Sequence, residues 1–350
     1  MADTQDPTTT NDWLNFLSRQ GATLSGGIAS SFGESALNYP ERKAALCDLS
    51  NLGILALQGP DSQRFLQGQS TSDTLQLDAN TSLPGAICSP KGRMLTSYQA
   101  IVPEADSLLL VMHRPLVETT LSDVGKYAAF FKTDLSNASE AHRLLGVSGP
   151  DCESALESLF DKIPMAVNQL CIDEACLLLR ISPQQFLLVV SIDAGEALWQ
   201  KLATTCTPTG NAYWQLQSIR AGLAQVQAPT REQFVPQMLN LQATGAVNFK
   251  KGCYTGQEIV ARMQYLGKLK RRTYRVIIDA TEPPPVGADI HASADNKLVG
   301  KVLMAAPADG AGSEMLAVLH EDQAAALTLI IDGVSNSVRI AELPYALSAD

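Results

Sequence analysis

The sequence predicts an α+β protein, in which two related α/β subdomains precede a small antiparallel barrel or sandwich. Three observations predict it. A strand, a Gly-Pro-Asp turn and a helix follow one another twice, with the turns at Gly59-Pro-Asp61 and Gly149-Pro-Asp151. After Arg272 the pattern changes to short apolar runs separated by turn residues. A chain of 350 residues is also too long for one small core, which asks for two or three domains.

Taken in order, residues 1–34 are rich in Thr, Ser, Gly and Asp, with one short amphipathic piece near Trp13 to Leu17. They read as a mobile tail or a loosely docked segment. Gly53 to Leu57 is a buried strand, and Pro60 opens a helix running to Leu66. Ala86 to Cys88 and Met94 to Val102 form a hairpin around Pro90 and Gly92. Leu108 to His113 is a strand and Val117 to Phe130 a helix. The second unit has a strand at Leu144 to Val147 and a helix at Cys152 to Leu159. A strand at Phe186 to Ser191 and helices at Glu196 to Thr204 and Ala212 to Leu223 follow. Strands at Tyr274 to Ile278, Leu298 to Met304, Met315 to Leu319, Leu327 to Ile331 and Val338 to Ala341 make the last domain.

The 45% apolar fraction and near-zero mean hydropathy describe an ordinary globular protein. No apolar run approaches the ~20 residues that span a bilayer. The polar, acidic start lacks the basic and apolar regions of a secretory signal, so the cytoplasm is the expected compartment. Seven cysteines without a CxxC pair indicate neither a disulfide framework nor a zinc ribbon. Net charge is −10, yet residues 250–275 carry eight Lys or Arg against Glu258 alone. That stretch is +7, leaving −17 elsewhere, and it reads either as a site for a local anionic partner or as a solvated loop.

The stretch also carries the chemistry. Thr255 and Glu258 fit a capping box for a helix running toward Tyr265. Cys253 lies two residues before that cap, near the positive end of the helix dipole and beside Lys250 and Lys251. Both features favour a thiolate, able to act as nucleophile, redox thiol or metal ligand. The plainer reading is a buried cysteine in the turn before a capped helix. His113, His142, His291 and His320 lie in unrelated segments, so a Cys–His dyad is unsupported.

Lys251-Gly-Cys-Tyr-Thr-Gly-Gln-Glu258 followed by Arg262 resembles the signature of the YgfZ family, within the GcvT-like group of folate proteins. Phe234-Val-Pro-Gln237, Asn240-Leu-Gln242, Phe65-Leu-Gln-Gly-Gln69, Lys91-Gly-Arg93, Lys126-Tyr127 and Leu343-Pro-Tyr345 extend the likeness from about residue 45 onward. The resemblance implies a GcvT-like three-domain arrangement around a central folate-binding hole, with a C-terminal antiparallel β-barrel. The expected divisions are a mobile segment at 1–34, a folate-binding region at 35–267 and the barrel at 268–350. It implies tetrahydrofolate as ligand and Cys253 as a functional thiol. Trp214, Lys250, Lys251, Tyr254, Gln257, Glu258 and Arg262 become the expected folate-binding residues. Trp214 can stack on the flat pteridine, or it is a helix-face core residue. The implied role is an accessory one, supporting iron–sulfur cluster assembly or repair and iron–sulfur-dependent tRNA modification. Expected partners are reduced folate, iron–sulfur proteins or assembly factors and a weak contact with tRNA, with no membrane.

The alternative is a folate-dependent one-carbon (aminomethyl) transferase. Against it, Thr96 and Ser97 stand where aminomethyltransferases of the group carry two aspartates at the reaction centre. Arg220 replaces the group's usual Glu, and an arginine cannot accept hydrogen bonds from a pterin. Leu52 stands where a second tryptophan is expected.

Overall fold

The computed structural model describes residues 8–33, 44–173, 176–265, 269–308, 310, 312–323 and 328–346. Leu327 and the expected domain boundary at 267/268 lie outside the described residues.

The first finding is a correction. Within residues 1–34, α1 (Thr8–Arg19) and a hairpin of Ala22–Ser25 with Ile28–Phe32 are part of the folded body. Trp13, Phe16 and Leu17 are buried in a core with Phe186, Leu188 and Trp199. The Trp13 indole stacks on Phe16, meets Trp199 edge-on and takes Arg143 over its ring at 5.6 Å. Its Nε1–H donates to the buried Asp48 carboxylate at 2.9 Å. Sparse apolar residues in a polar segment suffice because each is large and falls on one helix face.

The first sheet is antiparallel, in the order Ser82–Cys88, Met94–Ile101, Ser107–His113, Leu52–Gln58, Asp134–Asn137. It is covered by α2 (Ser62–Gln67) and α3 (Val117–Ala128). Pro60 sits in the turn before α2 instead of opening it. The second sheet runs Leu170–Ile172, Cys176–Ser182, Gln185–Ser191, His142–Ser148, Ala45–Asp48, Thr207–Pro208. Only its last pair is parallel. Its helices are α4 (Cys152–Glu157), α5 (Gly195–Leu202) and α6 (Asn211–Arg220). The Gly-Pro-Asp echo is structural: Gly59 and Gly149 both take positive φ, at 135° and 109°, and Asp61 and Asp151 stand at the N-termini of α2 and α4. The chain starts in the second sheet, with Ala45–Asp48, before building the first.

One core joins the sheets face to face, with Ile54, Leu109 and Val111 meeting Leu179, Leu187, Val189 and Trp214. After α7 (Gln257–Tyr265) the last six strands close a barrel in the order Arg271–Ile278, Ser313–His320, Leu298–Pro307, Asp289–Ala292, Thr328–Ile331, Val334–Ala341. Closure removes the exposed edges that six short strands would otherwise present. Of the barrel or sandwich alternatives, the structure has the barrel.

Two outcomes are expected from the α1 anchor. Trp13→Ala should cost about 3–5 kcal/mol, read as a lower urea midpoint, because it empties a close-packed aromatic site. Burial raises the Asp48 pKa above its ordinary value, against the Trp13 and Ser50 hydrogen bonds that lower it. Above the unfolded value of about 3.9 the folded state then holds the extra proton, so this group loses stability as pH rises through the raised value. The stability of wild type relative to Asp48→Asn should fall between acid and neutral pH. A difference that stays constant across that range would show that the carboxyl is not shifted.

Candidate functional site

The three units meet around a cavity of about 600 Å³. The first sheet contributes Leu52, Tyr98, Gln99 and Val111; the second contributes Ile181, Gln184 and Leu187. The connection after α6 and Pro344–Tyr345 close it. Trp214, Gln217 and Arg220 of α6 line one wall, with Ala221 just past its end, because a spacing of three residues keeps those three near one helix face.

Trp214 is both of the things its position allowed. It is 4% exposed and packed in the inter-sheet core, with part of the indole on the cavity. A Cβ at Gly146 would lie 2.5 Å from the indole, so only glycine lets the ring lie this close to the strand. Gln185 fixes α6 beneath it, donating to Trp214 O at 3.2 Å and Ser218 Oγ at 3.0 Å.

The polar lining is rich in amides: Gln99, Asn168, Gln184, Gln217 and Gln225. Gln99 donates to Ser82 Oγ at 2.7 Å and Asn168 Oδ1 at 3.1 Å. Among the described residues no group bonds the side-chain amides of Gln217 and Gln225, although Gln217 is only 8% exposed. An amide so enclosed needs partners from a ligand or water. No Asp or Glu lines the cavity among the described residues. Thr96 is fully buried and turned to Ser97 O and Met112. The Ser97 hydroxyl accepts the Val226 N–H at 2.9 Å. Arg220 lines the cavity but gives Nε and Nη2 to Glu314 Oε1 at 3.0 and 2.8 Å, while Arg275 binds Oε2 of the same buried carboxylate. Leu52 supplies a flat apolar wall.

The signature segment lies elsewhere. None of residues 250–262 is among the cavity lining, so the structure separates the expected folate residues. Trp214 is on the cavity; Lys250, Lys251, Tyr254, Gln257, Glu258 and Arg262 are not. Lys251 is 8% exposed and donates its three N–H groups to the carbonyls of Gln67, Ser70 and Ser72 at 2.7, 2.6 and 2.8 Å. Burial lowers its pKa to about 8, and the nearby Asp73 carboxylate opposes that shift by favouring the charged form. Tyr254 is buried beneath this ammonium, 5.0 Å from the ring, with its own pKa raised by burial. Glu258 and Arg262 are exposed and pair with each other at 3.6 Å, a contact worth little in water. Lys250 is exposed and Gln257 half-buried.

The capping box is not formed. Thr255 turns its hydroxyl to Gln69 at 3.3 Å, and Gly256 intervenes at φ 84° before α7. A Cβ there would meet Ser89 O at 2.5 Å. Between Lys251 and Thr255 the chain presents Cys253 to solvent, which overturns the buried-cysteine reading. Cys47, Cys88, Cys152, Cys176 and Cys206 are buried, and burial pushes Cys88 and Cys176 up to about 12 and Cys152 and Cys206 up to about 11. No cluster of three His, Cys, Asp or Glu able to hold a metal occurs among the described residues.

The basic stretch is partly consumed by the fold, while Lys250, Arg262 and Lys270 stay exposed. Arg272 pairs with Glu321, Arg275 with Glu314 and Arg262 with Glu258, Arg271 donates to His320, and Lys251 is enclosed. Lys268 lies outside the described residues. Sequence reasoning missed Gln217, Gln99 and Tyr98. For Gln217 a signal existed, three residues after Trp214 on the same helix face.

Residues 36–172 match the model of the GCVT N-terminal domain. The chain is 34% identical over 311 residues to the tRNA-modifying protein YgfZ of Photorhabdus laumondii subsp. laumondii, covering 87% of this chain and 93% of that protein. Its fold matches the glycine cleavage system aminomethyltransferase T of Bartonella henselae, with a TM-score of 0.74 at 15% identity over 95% of this chain and 96% of the other. No helix among the described residues is long and apolar enough to cross a membrane. Sequence identity over nearly the full length, on a GcvT-like fold, means that the chain belongs to the YgfZ family.

Proposed function

We propose that this chain is a folate-binding accessory protein of tRNA modification, acting in the cytoplasm and supporting the assembly or repair of the iron–sulfur clusters that such modification uses. The observation that carries the ligand is the amide-lined cavity with Trp214 on its wall. Its volume falls within the roughly 300–1,000 Å³ of small-molecule sites. A pterin presents one flat π-face and an edge of alternating N–H donors and carbonyl or ring-nitrogen acceptors. Side-chain amides, each donor and acceptor, complement that edge without a carboxylate. Gln217 and Gln225 would hold the edge, and Trp214 would lie against the ring. The tRNA role follows the named relative, and kinship with the aminomethyltransferase fold supports the folate ligand.

Aminomethyl transfer is disfavoured as the activity. It develops positive charge at the one-carbon unit, which needs a nearby carboxylate, and the described lining offers none. The exposed Cys253 is assigned the functional thiol, with iron–sulfur proteins or assembly factors as its partners. The solvent-facing loop supports that assignment: among the described residues five of the other cysteines are buried and Cys171 is half-buried.

Tetrahydrofolate should quench the protein's tryptophan fluorescence. Trp214→Phe, which keeps an aromatic ring in the core, should abolish most of the quench, because Trp13 and Trp199 sit in a separate core. An undiminished quench in Trp214→Phe would place the ligand elsewhere. Turnover of an aminomethylated carrier protein in the same samples would restore the transferase reading.

Cys253→Ser should unfold within about 0.5 kcal/mol of wild type, as expected for an exposed side chain. In a strain lacking its own family member, the variant should fail to complement. Full complementation would reduce Cys253 to a surface residue and leave the folate cavity untouched.

A further inference from the structure

The cavity and the Cys253 loop share one structural part, the segment Gly68–Ser72. On its cavity side, Tyr98 lines the cavity and donates its hydroxyl to Ser70 Oγ at 2.5 Å. Ser70 Oγ also bonds Ser72 Oγ at 2.9 Å and accepts the Ser72 N–H at 3.0 Å. On the other side, Lys251 Nζ holds the carbonyls of Gln67, Ser70 and Ser72. Past the cysteine, the Thr255 N–H donates to Gly68 O at 3.2 Å and the Thr255 hydroxyl to Gln69. Cys253 is therefore the exposed apex of a loop whose two feet both stand on this segment. Thr71 ties the platform further, giving its hydroxyl to Ala246 O at 2.6 Å and accepting the Ala86 N–H at 2.9 Å. Ala246 is itself a cavity residue.

We infer that Lys251 is a positioning residue that couples occupancy of the cavity to the order of the Cys253 loop, through Ser70, Ser72 and Tyr98. A ligand packed against Tyr98 restricts its ring and so holds the hydroxyl on Ser70. The platform's carbonyls then stay aligned on the Lys251 ammonium, and the loop between Lys251 and Thr255 samples fewer conformations. A buried, hydrogen-bonded network of this kind carries coupling because its members move together or break together. Coupling through order alone requires a dynamic observable, and amide exchange supplies it. The inference rests on the proposal that the cavity binds reduced folate, and the experiment reads the two separately.

Amide hydrogen exchange of residues 252–257 is measured by mass spectrometry with and without saturating tetrahydrofolate, with binding followed independently by calorimetry. In wild type, exchange should slow at least three-fold on saturation, with iodoacetamide alkylation of Cys253 slowing in parallel. In Lys251→Met, tetrahydrofolate should still bind, but exchange should be fast in both states. Ser70→Ala removes the hydroxyl that Tyr98 and Ser72 share, at a residue that does not line the cavity. It should bind folate and lose most of the ligand-dependent protection, which keeps the test decisive if Lys251→Met fails to fold. Binding without protection of 252–257 in wild type overturns the coupling and leaves the folate reading intact. Ligand-dependent protection that survives in Ser70→Ala also overturns it. No heat of binding at all overturns the folate reading and the coupling with it.

Discussion

The placement of α6 against three neighbours at once is the constraint on which the cavity depends. Its Trp214 side lies against the strand His142–Ser148, where Gly146 leaves room for the indole. Gln185 reaches across from the next strand to bond the helix backbone and Ser218. Its C-terminal end is tied to the barrel by Arg220 and Glu314. Glu314 is almost fully buried and shared by Arg220 and Arg275, so removing both arginines would strand its charge in a low dielectric, typically at a cost of about 3–5 kcal/mol. The helix cannot shift without opening the inter-sheet core or breaking that cluster. The face that remains, with Gln217 and part of Trp214, therefore meets the cavity in a fixed geometry, as a preorganised site requires.

Charge is where local sequence and folded surface part most clearly. Residues 250–275 form the densest run of cations in the chain, yet folding turns four of them, Lys251, Arg271, Arg272 and Arg275, to three backbone carbonyls, His320, Glu321 and Glu314. Two of the acids that neutralise the run, Glu314 and Glu321, belong to the barrel domain, about 40 and 50 residues beyond their arginines and out of reach of any local window. Arg220 shows the same effect. Read in sequence it is a donor standing where a pterin acceptor is expected; in the fold it is committed to a carboxylate from another domain.

What was legible follows the same division. Apolar runs bounded by Gly-Pro-Asp or other turns gave strands and helices close to their observed limits, because a buried strand or helix face is written in consecutive residues. Five of the six barrel strands were legible for that reason, Asp289–Ala292 being the one missed, and the signature segment pointed to the family. The N-terminal helix was not, since Thr and Ser outnumber the few large residues that anchor it and its acceptor, Asp48, lies 35 residues away. The capping box failed on a tertiary competitor: Gln69 takes the hydroxyl that local geometry would have aimed at the helix N-terminus. The cavity was visible at Trp214 and, through the family resemblance, at Leu52, Ser97 and Arg220, but its amides were not, because the lining comes from segments as distant as Leu52 and Tyr345.

The signature Lys251–Glu258 then divides into support and display. Lys251 and Thr255 fasten the loop to the first subdomain, Tyr254 fills the space beneath the ammonium, and Gly256 lets α7 approach the Ser89–Gly92 turn. Gly252 has open space around it and Cys253 is exposed. A thiol needed only for packing would not be carried at the apex of a loop fixed at both feet, since a buried position stabilises a small apolar group more. A thiol that must meet a macromolecular partner has the opposite requirement. It needs solvent access together with a defined position, because every rotamer-rich residue immobilised on association weakens binding. Under the proposed role, paying the ordering cost in the folded chain, with a buried lysine, would meet both requirements.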